Sequence, residues 1–237
     1  MLKFTTTAKR FTADILHVIY PGACLVCETE IDHSPASICP ICQSELHFTY
    51  YEKHREATEL DKLFWGRVPL DKTFALLFFS EQSPTQKILH TLKYKDRPDL
   101  AVHFGKETGL KLTGMPELMT ADALIPVPLH SKKRFIRGYN QAERIAKGIS
   151  DVTGIPVNED LLTRSSFSES QTRRDKASRW ENMQNRFRST NDKAAVSHVI
   201  IVDDVITTGS TLESCIRILR ESNPALKISV VALAFAR

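Results

Sequence analysis

The chain has 237 residues, 42% of them hydrophobic, enough to fill one sizeable core with room for a small appendage. Its formal net charge of +4 admits anionic ligands such as phosphates or nucleic acid without demanding them. No apolar run approaches the roughly 20 residues of a membrane span, and the polar, threonine-rich residues 1–10 lack the apolar core of a signal peptide, so the chain is expected in the cytoplasm.

Phe11, Ile15, Val18 and Ile19 form a short helical stripe that ends before Pro21-Gly22. Cys24-x-x-Cys27 and Cys39-x-x-Cys42 follow, with eleven residues between them. In a cytosolic chain two such knuckles read as a tetrathiolate Zn²⁺ site, because each turns two thiolates toward one tetrahedral ion. Four protein ligands leave no position for water, so that zinc would be structural. A redox dithiol and an iron–sulfur cluster are alternative uses of the same thiolates. His33 and His47 read as surface residues, and residues 52–62 as a charged, solvated tail of this module.

The strand-like run 74–79 precedes a helix start at Ser83-Pro84-Thr85-Gln86, with serine as N-cap, proline at N1 and glutamine completing a capping box. That helix carries Ile88, Leu89 and Leu92 and reaches Lys93-Tyr94-Lys95; a second begins near Pro98 and runs through Phe104. From about residue 121 strand and helix alternate. An apolar run at 123–127 leads to a helix with Tyr139, Ala142, Ile145, Ala146 and Ile149 on one face, then a short strand near Ile155. Val199 to Val202 form a strand buried on both faces. A helix from about Thr211 shows Leu212, Cys215, Ile216 and Leu219 on its core face, and a last strand spans 228–236. This order predicts an α/β fold, a parallel sheet flanked by helices over residues 71–237, with the zinc-bearing module over residues 1–70.

The run 199–211 constrains function most. Asp203 and Asp204 follow the strand, and then come Thr207-Thr208-Gly209-Ser210-Thr211 and a helix N-terminus. A glycine-containing, hydroxyl-rich loop feeding a helix start makes an anion site. Carboxylates repel a bare phosphate but accept from sugar hydroxyls, so the combination suits a ribose carrying a 5-phosphate. Neither Gly-x-x-x-x-Gly-Lys-Ser/Thr nor Gly-x-Gly-x-x-Gly occurs, which excludes a P-loop and a dinucleotide fingerprint. A second basic loop, residues 126–141 with Lys132, Lys133, Arg134 and Arg137, falls at the same edge of the sheet, where ligands of such sheets bind. A third, residues 164–187, holds Gln171, Arg173, Arg174, Lys176, Arg179 and Asn182 in a connection long enough to be functional.

The thirteen residues 199–211 resemble the phosphoribosyl pyrophosphate (PRPP) signature of type I phosphoribosyltransferases. That resemblance implies that Asp203 and Asp204 hold the ribose 2- and 3-hydroxyls and that Thr207, Thr208, Gly209, Ser210 and Thr211 cradle the 5-phosphate. The loop with His130, Arg137 and Gly138 would take the pyrophosphate, in many such enzymes through a cis peptide bond, and the 164–187 segment with Gln171 and Arg179 would be a lid. With the two knuckles, Leu92-Lys93-Tyr94, Pro126-Val127-Pro128-Leu129-His130 and Arg137-Gly138-Tyr139-Asn140-Gln141, the order is similar to the ComF family, which includes GntX proteins. Tyr139 stands where that family commonly has phenylalanine, and Ser168 where threonine is common. The resemblance implies a type I phosphoribosyltransferase-like domain with an N-terminal zinc ribbon, Mg²⁺ bound with PRPP, and a link to DNA uptake. It also implies a rival: a competence protein that senses PRPP without turnover and binds single-stranded DNA, stacking bases on Tyr139 or Trp180, in company with DNA-processing proteins. Neither an acceptor base nor a hood for one is legible.

Overall fold

The computed structural model describes residues 22–31, 37–164, 187–189 and 196–237. The stripe from Phe11 to Ile19, His33, and the lid residues Gln171, Arg179 and Asn182 lie outside them, as does Trp180. In chain order the module has β1 (Gly22–Ala23), β2 (Glu30–Ile31), α1 (Pro40–Ser44), a 3₁₀ turn (Tyr51–Lys53) and α2 (Glu59–Phe64). The main sheet and its helices follow with β3 (Thr73–Phe79), α3 (Pro84–Tyr94), α4 (Pro98–Leu112), α5 (Pro116–Met119), β4 (Ala123–Pro126), α6 (Ser131–Arg137) and α7 (Gln141–Thr153). It continues with β5 (Leu162–Arg164), β6 (Phe187–Ser189), β7 (His198–Ile206), α8 (Ser210–Ser222) and β8 (Lys227–Ala236).

The main sheet has the order β3-β8-β7-β4, parallel throughout. Strands buried on both faces need apolar runs, and Val199 to Val202 and Val230 to Ala234 supply them, all but fully buried. On the outer side of β3, residues 47–49 run antiparallel to it: Phe78 N–H donates to the His47 carbonyl (2.7 Å) and Thr49 N–H to that of Leu76 (3.0 Å). The module thereby covers an edge strand that would otherwise expose its backbone. Helices α4 and α7 touch backbone to backbone, because a Cβ on Gly105 or Gly148 would overlap the opposing chain.

Several expectations shift. β7 does not end at Val202; it runs through the acidic pair, because Asp203, Val205 and Ile206 still pair with Ala232, Ala234 and Phe235 of β8 after β4 has stopped. The strand near Ile155 is a single bridge from Val157 to Leu124, since Pro156 has no N–H and contributes only a carbonyl, bonded to Leu124 N–H at 2.8 Å. The helix through Phe104 continues to Leu112. Ser83 caps α3 as expected, but the Gln86 side chain accepts from Gln82 N–H (2.8 Å), so the reciprocal bond bypasses the cap residue. The 52–62 stretch is solvated only in part: Thr58 and Leu60 are buried, and Thr58 and Asp61 form the capping box of α2. A separate helix, α6, precedes Gly138, and Tyr139 lies before α7 rather than on its face. β5 and β6 pair antiparallel, bringing Arg164 opposite Phe187.

Candidate functional site

Asp203 and Asp204 sit at the carboxyl end of β7, where β4 no longer flanks it. Successive strand residues face opposite sides, and the two carboxylates have different partners. Asp203 Oδ1 accepts from Asp204 N–H at 2.8 Å. Asp204 Oδ2 lies 3.1 Å from Lys93 Nζ of α3. Burial first, then the Asp204 charge, push the half-buried Asp203 carboxyl well above the usual carboxylate range, against the opposing pull of the Asp204 amide and of Lys93. Burial and the Asp203 charge likewise raise the Cys215 thiol beneath, which suits a packed residue rather than a reactive one.

The loop after β7 turns at Gly209, the N-cap of α8, whose φ of +71° lies in the left-handed region that favours glycine. Thr207, Thr208 and Thr211 are exposed, Ser210 is half-buried, and Thr208 Oγ1 donates to Ser210 Oγ at 3.2 Å. The helix begins at Ser210, one residue before Thr211, so its first turn opens within the hydroxyl-rich loop. From α2 and the turn after it, Phe64 packs on Gly209 and Arg67 donates to the Thr208 carbonyl (2.7 Å) and to Glu213 Oε2 (2.7 Å). A Cβ at position 209 would meet the Phe64 ring at 2.8 Å. Gly209→Ala is accordingly expected to lose about 2–5 kcal/mol of stability, left-handed backbone and overpacking combined. Urea unfolding of the variant checks this.

The second basic loop follows β4. The His130 side chain caps α6, its Nδ1 accepting from Lys132 N–H at 3.2 Å. Arg137 ends that helix, Gly138 closes it at φ +76°, and all peptide bonds among the described residues are trans. The Arg137 guanidinium lies over the Tyr94 ring (5.8 Å) and donates to Gln141 Oε1 (3.0 Å). Asn140 Nδ2 donates to the Val127 carbonyl (3.0 Å) and to Glu143 Oε1 (3.2 Å), tying α7 to the end of β4. His130, Arg134 and Glu143 line a cavity of about 350 Å³ together with Glu159, Asp160 and Arg164. Tyr139 is not available for stacking on a base. It is 6% exposed, its hydroxyl donates to the Leu92 carbonyl at 2.6 Å, and burial, then the charges of Asp96 and Asp99, push its pKa up to about 12.

In the module, Cys24, Cys27, Cys39 and Cys42 place their Sγ atoms within 4.8 Å of one another. Four thiolates at about 2.3 Å from one tetrahedral ion would stand about 3.8 Å apart, so the cluster can hold a single metal ion. Backbone N–H groups already point at the sulfurs: Val26 and Cys39 to Cys24 Sγ (3.4 and 3.3 Å) and Cys42 to Cys39 Sγ (3.4 Å). Burial opposes ionisation of Cys24, yet the amides of Cys27, Cys39 and Val26 outweigh it and bring the thiol down to about 6. Burial and the neighbouring thiols raise Cys42.

Comparison with known proteins agrees with this architecture. Residues 138–237, which contain the acidic pair and its loop, match the family described as "Phosphoribosyl transferase domain". The chain is 30% identical over 216 residues to competence protein F of Haemophilus influenzae, covering 87% of each chain. The chain belongs to the ComF family. It is also 24% identical to the DNA utilization protein YhgH of Escherichia coli K12, over 86% of this chain and 93% of that one. Among solved structures, the B. subtilis glutamine PRPP amidotransferase complexed with ADP and GMP is similar at a TM-score of 0.42 and 20% identity, over 61% of this chain and 30% of that one.

In this ComF chain the fold brings Asp203, Asp204, Thr207 to Thr211, Arg137 and Gly138 to one edge of the sheet, whereas His130 opens toward the cavity beside β5. Phe64 and Arg67 carry no site signal in the sequence, and Lys93, which belongs to the ComF-like pattern, has no role legible there. The capped start of α3 puts Lys93 in its last turn, but only the crossover decides which strand end that turn meets. No helix among the described residues is long and apolar enough to cross a membrane.

Proposed function

We propose that this chain binds PRPP with Mg²⁺ across the two loops and transfers the phosphoribosyl group to an acceptor, releasing pyrophosphate. The observation that carries the reading is the acidic pair at the end of β7, followed directly by the exposed hydroxyl loop and the N-terminus of α8. Asp203 and Asp204 accept from the ribose hydroxyls, so the adjacent pair matches a diol. Thr207, Thr208, Ser210, Thr211 and the amides around Gly209 hold the 5-phosphate. In the reaction the C1–O bond breaks and its electron pair leaves with pyrophosphate; a lone pair of the acceptor forms the new bond to C1, and the acceptor gives up its proton. Arg137 faces the charge growing on the pyrophosphate. The all-oxygen donors beside the site suit Mg²⁺, which when bound would neutralise that same charge.

Residues 71–237 then form the ligand domain and residues 1–70 a module held by structural Zn²⁺ at the four cysteines. The names of the relatives favour a role in competence or the utilization of DNA, which this reading places in the cytoplasm. Calorimetry with Mg²⁺ and PRPP tests the reading: saturable, metal-dependent binding at one site supports it, and a flat titration removes it. Pyrophosphate release in a screen of nucleobases and other acceptors then tests turnover.

A second reading, binding of single-stranded DNA, finds support on α6 rather than at Tyr139. That helix buries none of its residues, and it presents Phe135 (91% exposed) and Ile136 (76%) among Lys133, Arg134 and Arg137. An aromatic between cations is the surface on which unstacked bases bind. Phe135→Ala is expected to weaken oligonucleotide binding by about tenfold, from about 1–3 kcal/mol of stacking, with the salt dependence unchanged. Unaltered affinity in a filter or fluorescence assay would remove α6 from such an interface.

A further inference from the structure

Lys93 stands between the two anion loops. Its side chain reaches the acidic pair, ion-paired to Asp204 at 3.1 Å, with only 22% of Lys93 and 14% of Asp204 exposed. Its backbone is held by the other loop on both sides. The Leu92 carbonyl before it accepts from Tyr139 Oη (2.6 Å) and Gln141 Nε2 (3.0 Å). The Tyr94 ring after it lies under Arg137, which bonds Gln141 in turn. The ammonium is a compact charge on a flexible four-carbon stem, so it can change partner while its Cα stays fixed.

From this geometry we propose that Lys93 is a pyrophosphate-binding cation, stored on Asp204 until the ligand arrives, and that it makes the site select PRPP over ribose 5-phosphate. The inference rests on the PRPP reading of the site. A ribose diol that docks on Asp204 satisfies the carboxylate with hydroxyl donors and displaces the ammonium. The partly exposed ammonium that loses its counter-ion can turn to water, but it gains more from an anion placed beside it. PRPP brings that anion on C1, next to the diol; ribose 5-phosphate brings none. The exchange therefore favours the ligand that carries both groups, and Arg137 supplies the second positive charge beside it.

The test is calorimetry with Mg²⁺ and three probes, PRPP, ribose 5-phosphate and inorganic pyrophosphate, on wild type, Lys93→Met, Lys93→Arg and Asp204→Asn. Thermal unfolding confirms that each is folded. Lys93→Met is expected to weaken PRPP and pyrophosphate by about 10- to 100-fold, the range of one charge-assisted contact, while ribose 5-phosphate binds as before or tighter. Lys93→Arg restores most of the loss. Asp204→Asn, which sets the ammonium free, binds pyrophosphate more tightly and ribose 5-phosphate more weakly. Equal losses for PRPP and ribose 5-phosphate in Lys93→Met would show that Lys93 merely positions Asp204, and no loss would remove it from the site; either overturns the proposal while wild-type PRPP binding stands. Wild type that binds pyrophosphate through Lys93 but not PRPP would overturn the PRPP reading and keep the cation, and binding of neither overturns both.

Discussion

The Asp203→Asn, Asp204→Asn protein is expected to fold as wild type does and to bind Mg²⁺-PRPP at least about a hundredfold more weakly. Each carboxylate that accepts from a ribose hydroxyl makes a charge-assisted bond of roughly 1.5–3 kcal/mol, so losing both costs about 3–6 kcal/mol of binding. Nothing comparable is lost from the fold. The amide oxygen of an asparagine at 203 can accept from the 204 N–H as Asp203 Oδ1 does now at 2.8 Å. Lys93 loses its partner but keeps enough exposure for its ammonium to reach water. Calorimetry and thermal unfolding on the same preparations separate the two effects. Unchanged affinity would remove the diol assignment, and an unfolded variant would mark the pair as structural.

The single variant Asp203→Asn carries a pH signature of its own. Burial and the Asp204 charge raise the folded-state pKa of Asp203 above its unfolded value of 3.8. Between those two values the native chain holds a proton that the unfolded chain has released, so the Asp203 contribution to stability is complete below the unfolded pKa and is lost as pH climbs toward the folded one. Asparagine does not titrate. The melting temperature of Asp203→Asn minus that of wild type should therefore become more positive as pH rises above about 4. A difference flat with pH would mean that the carboxyl ionises as freely in the fold as outside it.

The most legible part of the site is the most local. Strand, acidic pair, glycine loop and amphipathic helix follow one another from His198 to Ser222, and each signal agrees with its neighbours. The strand's end shifts most, because whether β7 continues past Val202 depends on β8 still running beside it. What braces the loop could not be seen in the same way. Arg67 and Glu213 meet across 146 residues of sequence, and Phe64 under Gly209 belongs to a six-residue helix too short to show a period among its charged neighbours. Tyr139 illustrates a different limit. An aromatic beside basic residues has the same appearance in sequence whether it faces solvent or core, and the Leu92 carbonyl that claims its hydroxyl is known only from the fold. Phe135, which sequence reasoning passed over, is the exposed aromatic of that loop.

Cys39→Ser is expected to abolish metal binding and to melt the module while leaving the sheet in place. Cys39 is the joint of the cluster: its N–H donates to Cys24 Sγ at 3.3 Å, its Sγ accepts from Cys42 N–H at 3.4 Å, and it stands 3.6 Å from Cys27 Sγ. A serine hydroxyl does not ionise in the range where a thiolate ligates, so the tetrahedral set loses one corner. The segment has little regular structure to hold it. Two strands of two residues and a five-residue helix fall far below what sheet or helix needs alone, whereas a structural Zn²⁺ supplies about 10–16 kcal/mol. Among the described residues, the hydrogen bonds from Lys87 to the Val26 carbonyl and from Arg97 Nη2 to Ser37 Oγ (2.9 Å) tether its knuckles to α3 and to the start of α4. Elemental analysis should find about one zinc per wild-type chain and only traces in the variant; iron with visible absorbance would assign the thiolates to a cluster instead. Limited proteolysis should cut the variant between residues 22 and 44 while the main thermal transition stays put, since the apolar strands β7 and β8 do not depend on the metal. Full retention of metal would remove Cys39 from the ligand set, and collapse of the main transition would make the module a part of the core.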